Sequence, residues 1–355
     1  MNTTIASMDD SGSLIEQVAA ALRNRVPLRI RGGDSKAFLG RRITGEEIDL
    51  RSHRGVVSYD PTELAITVRS GTPVTDLNAL LAAQNQMLPC EPPVFNGAAT
   101  VGGMVASGLA GPRRPWAGSV RDFVLGCRLI TGQAKSLRFG GEVMKNVAGY
   151  DVSRLMAGSF GCLGILTEVS LKVLPRPRAS HSVSLELSAA EALLKLSAWR
   201  RAAVPVTGAF HTQGRLYIRF EGGEGSVREA LALAGGEEAD PSIWEELREQ
   251  RLDFFGGERP LWRLSVPALA TVQGWPQDTL FDWGGAQRWV KSDEPASALR
   301  EMAEKAGGHA SCFTPVPGVE SLHPLGPALL RFHQQLKAKM DPCGIFNPGR
   351  MYADL

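Results

Sequence analysis

The stretch FNGAATVGGMVASGLAGPRRPWAGSVRD, residues 95–122, constrains the fold more than any other part of the chain. Glycine stands at positions 97, 102, 103, 108, 111 and 118, and most residues between are Ala, Val, Ser or Thr. Side-chain packing is given up here, so something must approach the backbone closely. Two further glycine groups accompany it. Gly32 and Gly33 follow the short buried strand expected in VPLRIR, and Gly158, Gly161 and Gly164 lead into the apolar run ILTEVSLKV. Successive N–H groups at such turns can point into one concavity that suits phosphate oxygens. Arg31 would add charge there, and Ser35, Thr100, Ser107 and Ser119 would add hydroxyl donors. The chain has neither a GxGxxG fingerprint at Gly32 nor the Lys-Ser/Thr ending of a P-loop. Taken alone, RGGDS is equally a tight turn, and 95–122 is equally a long surface loop with sharp bends. Three such clusters in the first half of one chain favour a ligand spread along several loops, such as a dinucleotide.

The pattern around the loops is that of a two-domain globular protein. At 355 residues the chain exceeds one ordinary core. In SLIEQVAAALRNR, Leu14, Ile15, Val18, Ala19 and Leu22 share a helical face, with Ser11 or Ser13 as cap. TPVTDLNALLAAQNQ reads as a helix capped by Thr72 with Pro73 in its first position. VLGCRLIT and SLRF read as strands, and Asp151 as the cap of a short helix in VSRLMA. After Arg178 the texture changes to strands and hairpins alternating with helices, including a polar helix around 226–253. That predicts a small α+β sheet covered by helices on one side.

Composition removes several function classes. A net charge of +2 offers no basic stripe for a duplex, and Arg41, Arg42, Arg51 and Arg54 read as a solvated face. Five cysteines without a CxxC pair argue against a disulfide framework and against a zinc or iron–sulfur site. No run reaches 18 apolar residues, and the start MNTTIASMDDSGS lacks a secretory pattern, so a cytoplasmic chain is expected.

The segments GVVSYDPTELAITVRSGTPVTDLNALLA, ATVGGMVASGLAG, GSVRDFVLGCRLITG, KNVAGYDVSRLMAGSFGCLGILTEVSLKV and DPCGIFNPGRM, in this order, resemble the vanillyl-alcohol-oxidase (p-cresol methylhydroxylase) type of flavoprotein. With LWRLSVP and DWGGAQRW, the whole chain is most similar within that type to the E-type subunits of bacterial glycolate oxidases. The resemblance implies an α+β fold: an FAD-binding domain over 1–178, a smaller α+β cap over 179–320, and a segment, 321–355, returning to the FAD domain. It implies FAD with its pyrophosphate on Arg31, Gly32, Gly33, Asp34 and Ser35. Thr100, Val101, Gly102, Gly103 and Ser107 would line the ribityl and diphosphate. Gly161, Gly164 and Ile165 would lie along the isoalloxazine or adenine side, and Asn347 and Arg350 would fold back over the flavin domain. Relatives that bond flavin covalently carry His in a GGHS loop or Cys just before TVG; here Asp34 and Ala98-Ala99 stand there, so non-covalent FAD is expected.

The resemblance further implies oxidation of glycolate, a 2-hydroxy acid, to glyoxylate. That chemistry asks for a hydride acceptor, a base and a cation for the carboxylate. No two of the six histidines sit at metal-ligand spacing, so no metal is expected. Arg263, Arg288 and Tyr150 are the candidates for substrate contact, each with a plain packing or capping explanation beside it. The implied partners are a larger FAD-bearing subunit, where the substrate chemistry would reside, and an iron–sulfur subunit that takes the electrons onward. Any membrane contact would then come through those partners. A self-sufficient FAD-dependent dehydrogenase and a non-catalytic assembly subunit are the competing readings.

Overall fold

The computed structural model describes residues 5–141 and 151–355. The chain divides into two compact units. The first holds Met1–Ala110, Gly118–Arg176 and Pro324–Leu355; the second holds Gly111–Ala117 and Pro177–His323. The glycine-rich stretch is therefore shared, with its middle, Gly111–Ala117, belonging to the second unit.

The first unit is built on a five-stranded antiparallel sheet in the order Val56–Asp60, Ala65–Arg69, Ile165–Lys172, Val124–Ile130, Ser136–Gly140. The central strand reads ILTEVSLK, and both of its faces are mostly buried, Thr167 and Ser170 included. A separate parallel pair, Leu28–Arg31 with Glu46–Asp49, lies beside it in the same unit. The helix Ser11–Asn24 buries Leu14, Val18 and Ala21, one stripe at helical spacing. They pack in one core with Leu28, Ile48, Ile130, Ile165, Ile345 and Phe346, which brings the chain's tail back against its beginning.

Two helix starts differ from expectation. Ser11 lies inside the first helix, whose N-cap is Asp10. Pro73, expected in the first helical position, is itself the N-cap of Val74–Ala82. The Thr72 hydroxyl is drawn away because it accepts the Gly55 N–H at 2.9 Å, tying two segments together instead of capping one. Asp151 does cap Val152–Leu155, accepting the Arg154 N–H at 3.1 Å.

The second unit is an eight-stranded antiparallel sheet, in the order Glu237–Glu238, Ala179–Glu186, Arg215–Gly222, Val206–Thr212, Leu280–Asp282, Gln287–Lys291, Leu261–Ser265, His309–Cys312. Helices Ala189–Arg201 and Glu224–Ala234 cover one core, with Trp199, Ile218 and Phe220 inside it. Helix Ala296–Lys305 covers another, around Trp262 and Leu264. The single polar helix expected around 226–253 is broken into Glu224–Ala234, the strand Glu237–Glu238 and Ile243–Arg248. The break is at Gly235 and Gly236: a Cβ on Gly236 would sit 2.5 Å from the Ser184 carbonyl oxygen, so the chain leaves the helix to pair with that strand.

Candidate functional site

The site in the first unit begins at the strand Leu28–Arg31. Its two arginines are tied down by acids. Arg31 pairs with Glu47 at 2.8 Å and with Asp34 at 3.3 Å, while Arg29 pairs with Asp34 at 2.6 Å and also with Glu47. Asp34 adopts a left-handed backbone (φ 53°) and so turns the loop Gly32–Ser35 sharply after the strand. No described residue accepts a hydrogen bond from the N–H groups of Gly32, Gly33 or Ser35.

The loop packs directly on the next glycine segment. A Cβ on Gly33 would lie 2.6 Å from the carbonyl carbon of Ala98, and one on Gly32 would lie 2.5 Å from the Thr100 hydroxyl. Gly33 is thus required by the protein's own backbone, and Gly32 by the Thr100 side chain, before any ligand is considered. Thr100 then caps the helix Val101–Ser107, accepting the Gly103 N–H at 3.3 Å. The Val101 and Gly102 N–H groups are already given to the carbonyls of Thr72 and Ser70, at 2.9 and 2.8 Å.

The third cluster hooks onto that helix, because the N–H groups of Gly158 and Phe160 donate to the carbonyls of Val105 and Ala106 at 3.0 and 2.9 Å. The tail closes the arrangement. Asn347 accepts the Ile30 N–H at 2.8 Å and donates to the Phe160 carbonyl at 2.7 Å, a bridge between the first and third clusters. The tail is itself pinned by buried Asp341, which accepts from the Phe346 N–H at 2.8 Å and the Lys337 ammonium at 2.7 Å.

These four pieces enclose two cavities that share Ile30, Gly32, Thr100, Gly103, Ala106, Phe160 and Asn347, and so form one slot. They hold about 700 and 470 Å³ of empty space, part of it open to solvent. The larger end carries the cationic side chains of Arg29, Lys36 and Arg350. Burial holds the Arg350 guanidinium below its ordinary pKa while it donates to the carbonyls of Arg41 and Ala37. The inner end contains the hydroxyls of Ser70 and Ser159, both buried and without a hydrogen-bond partner. Unmade buried hydrogen bonds are costly. Two such groups on one cavity wall, with a cationic rim and free N–H donors, fit a long ligand with phosphates at one end and polar ring atoms at the other.

Of the residues expected to bind FAD, Gly32, Gly33, Asp34, Ser35, Thr100, Gly102, Gly103, Ser107, Gly161, Gly164, Asn347 and Arg350 line the slot. Arg31, Val101 and Ile165 do not. Arg31 is held sideways by Glu47, Val101 is buried with its N–H used, and Ile165 points into the core beside Leu14. Arg29 and Arg31 stand on the same side of their strand and share the acids Glu47 and Asp34, and Arg29 is the one that lines the rim where Arg31 was expected. Ser70, Ser159, Phe160 and Lys36 line the slot without having been singled out. Ser159 and Phe160 stand inside the Gly158–Gly161 cluster, which was a usable signal; nothing local marks Ser70.

Among the substrate candidates, Arg288 is fully buried and donates to the carbonyls of Gly285, Thr271 and Ala270 at 3.2, 2.7 and 2.6 Å. Arg263 rests 4.9 Å above the Phe313 ring. Tyr150 lies outside the described residues. Among those residues no group of three His, Cys, Asp or Glu side chains could hold a metal ion, and no helix is long and apolar enough to cross a membrane.

Comparison with known proteins follows the same outline. A family described as FAD binding domain matches residues 4–140. The glycolate oxidase subunit GlcE of Escherichia coli (strain K12) is 56% identical over 347 residues, 98% of this chain and 99% of that protein. The glycolate oxidase subunit GlcD of Bacillus subtilis (strain 168) is 31% identical over 162 residues, 45% of this chain and 34% of that protein. A solved structure of p-cresol methylhydroxylase with substrate bound superposes with a TM-score of 0.73 at 13% identity, covering 98% of this chain and 88% of that one. At that identity the likeness is one of fold.

Proposed function

Because the chain belongs to the family of the glycolate oxidase subunit GlcE, built on the vanillyl-alcohol-oxidase type of flavoprotein fold, we propose that it is the FAD-binding subunit of a glycolate-oxidising complex. The observation that carries this reading is the convergence of Gly32–Ser35, Thr100–Ser107, Ser159–Gly164 and Asn347 on one slot with two unpaired buried hydroxyls. The Gly32–Ser35 N–H groups, with Arg29, Lys36 and Arg350 at the rim, are suited to hold the diphosphate. Ser70 and Ser159 would donate to polar atoms at the inner end. FAD, when bound, supplies a two-electron acceptor. The chain's part is to hold it, orient it and shield its inner end from water.

In this reading glycolate is oxidised to glyoxylate within the complex, with substrate chemistry in a larger FAD-bearing subunit. Arg288 supports that division, since its Nε, Nη1 and Nη2 each donate to a carbonyl within the chain. Electrons pass onward to an iron–sulfur subunit. The complex works at the cytoplasmic side, touching a membrane only through its partners. FAD is held without a covalent bond, in keeping with the lack of His and Cys among the described residues lining the two cavities.

The test is an absorption spectrum of the purified chain, alone and with its partners, before and after glycolate. A yellow chain whose flavin is released into the supernatant by acid precipitation is expected, with bleaching by glycolate only in the presence of the larger subunit. A colourless chain that takes up no added FAD would refute the reading. Bleaching in the isolated chain would move the substrate chemistry into it.

A further inference from the structure

The second unit places two arginines on neighbouring strands and satisfies them in opposite ways. Arg288 faces the core with Leu264, has its donors taken by three carbonyls, and stacks 4.2 Å from the Trp275 ring. Arg263 stands in register with Trp289 on one side and Ser311 on the other. Its neighbours Trp262 and Leu264 enter the core under helix Ala296–Lys305, so strand alternation turns Arg263 to the opposite face of the sheet. There its Nε is shut off from solvent and unpartnered, and among the described residues no carboxylate or carbonyl accepts from the guanidinium.

The charged groups that bear on it are cationic or become so. Burial, with a smaller contribution from Arg114, which stacks 4.3 Å over Trp283, pushes the Arg263 pKa down to about 10. Arg263 in turn helps burial hold the His309 imidazole below its ordinary value. Stacking on Phe313 offsets some of the loss of water but satisfies no N–H group. A guanidinium with its fork unused, next to a second one and with no acid pressing on it, is matched by a carboxylate taken bidentately.

We propose that Arg263, with Arg114 beside it, forms a binding site for a small carboxylate anion on the face of the second unit's sheet opposite helix Ala296–Lys305. The choice of anion class, a two-carbon 2-hydroxy or 2-oxo acid, rests on the function proposed above; the presence of the site does not. Arg263 takes both carboxylate oxygens, and Arg114 raises the local positive potential.

The test uses the full chain with its FAD, titrated calorimetrically with oxalate, a two-carbon anion that cannot be oxidised by hydride loss. Saturable binding is expected. Arg263→Gln should weaken it at least tenfold at unchanged flavin content, and Arg331→Gln, exposed on the last helix, should leave it alone. Should Arg263→Gln fail to fold, Arg263→Lys decides: it keeps the charge but loses the fork, and should weaken binding several-fold. Wild-type protein that ignores millimolar oxalate, or variants that bind it equally well, would overturn the site. So would binding by the isolated chain that vanishes in the assembled complex, which would give the place to a partner's acidic side chain. A normally yellow chain that ignores oxalate defeats this site only, whereas a chain that cannot take up FAD defeats the function reading.

Discussion

Gly33→Ala is the sharpest perturbation of the slot, because its effect follows from one contact. The added methyl carbon would stand 2.6 Å from the Ala98 carbonyl carbon, and nearer still to its oxygen. Non-bonded carbons settle at about 3.5–4.0 Å, so the two loops must part by roughly 1 Å or more. Both loops are backbone at this point, and neither can yield by turning a side chain. Overpacking of this kind costs about 1–3 kcal/mol, and a binding site tolerates displacement of only about 0.5 Å. The same two loops form the wall of the larger cavity, so the cost should fall on ligand binding as well as on folding. At 1.4 kcal/mol per factor of ten, FAD affinity should drop roughly 5- to 150-fold. Gly12→Ala is the control: nothing lies within 4 Å of its Cβ position, and it sits in the helix Ser11–Asn24. That change should stabilise the protein by about 0.5–1 kcal/mol and leave FAD untouched. The assay is the flavin-to-protein absorbance ratio with a titration of FAD into stripped protein, alongside thermal melts. A Gly33→Ala protein with wild-type FAD affinity would refute the claim that the contact of these loops shapes the slot.

Asn347→Ala removes the bridge between Ile30 and Phe160. Leaving those two backbone groups unpaired should cost about 1–3 kcal/mol each, read in urea unfolding, with a parallel loss of bound flavin. Burial pushes the Cys90 and Cys127 thiols up to about 12 and raises Cys162 and Cys312, while Cys343 is exposed. A thiol reagent at pH 8 should therefore label the folded chain once, at Cys343, as peptide mapping would show. His53 is 1% exposed, accepts the Asp10 N–H, and has its pKa lowered chiefly by desolvation. The unfolded chain then binds more protons than the folded one, so stability is full above about pH 6.5 and declines as pH falls from there. His211 shifts the same way for the same reason. Unfolding free energy measured between pH 8 and 5 should decrease, and His53→Gln should flatten the slope; an unchanged slope would count against it.

Local signals were legible wherever the deciding partner lay a few residues away. The cap at Asp151, the amphipathic helix at Ser11–Asn24 and the change of texture after Arg178 all belong to that class. So did the three glycine groups, as places where side chains had to be absent. Which neighbour forbids the side chain was a tertiary fact: at Gly33 it is Ala98, and at Gly161 it is Asn347. The same holds for Thr72, whose hydroxyl serves Gly55 and not its own helix, and for Arg31, which shares Glu47 and Asp34 with Arg29 and leaves the rim to it. Arg263 and Arg288 look alike in sequence, each beside a tryptophan, yet sheet alternation sends one among carbonyls and leaves the other unpaired. Ser70 had no mark at all. The sequence by itself determined where backbone would be bare and where several of the helices and strands lie, because propensity and sterics act within a turn or two. Only the folded chain decided which bare segments meet, since bonds such as that of Asn347 to Ile30 span 317 residues and exist only once the sheets have packed.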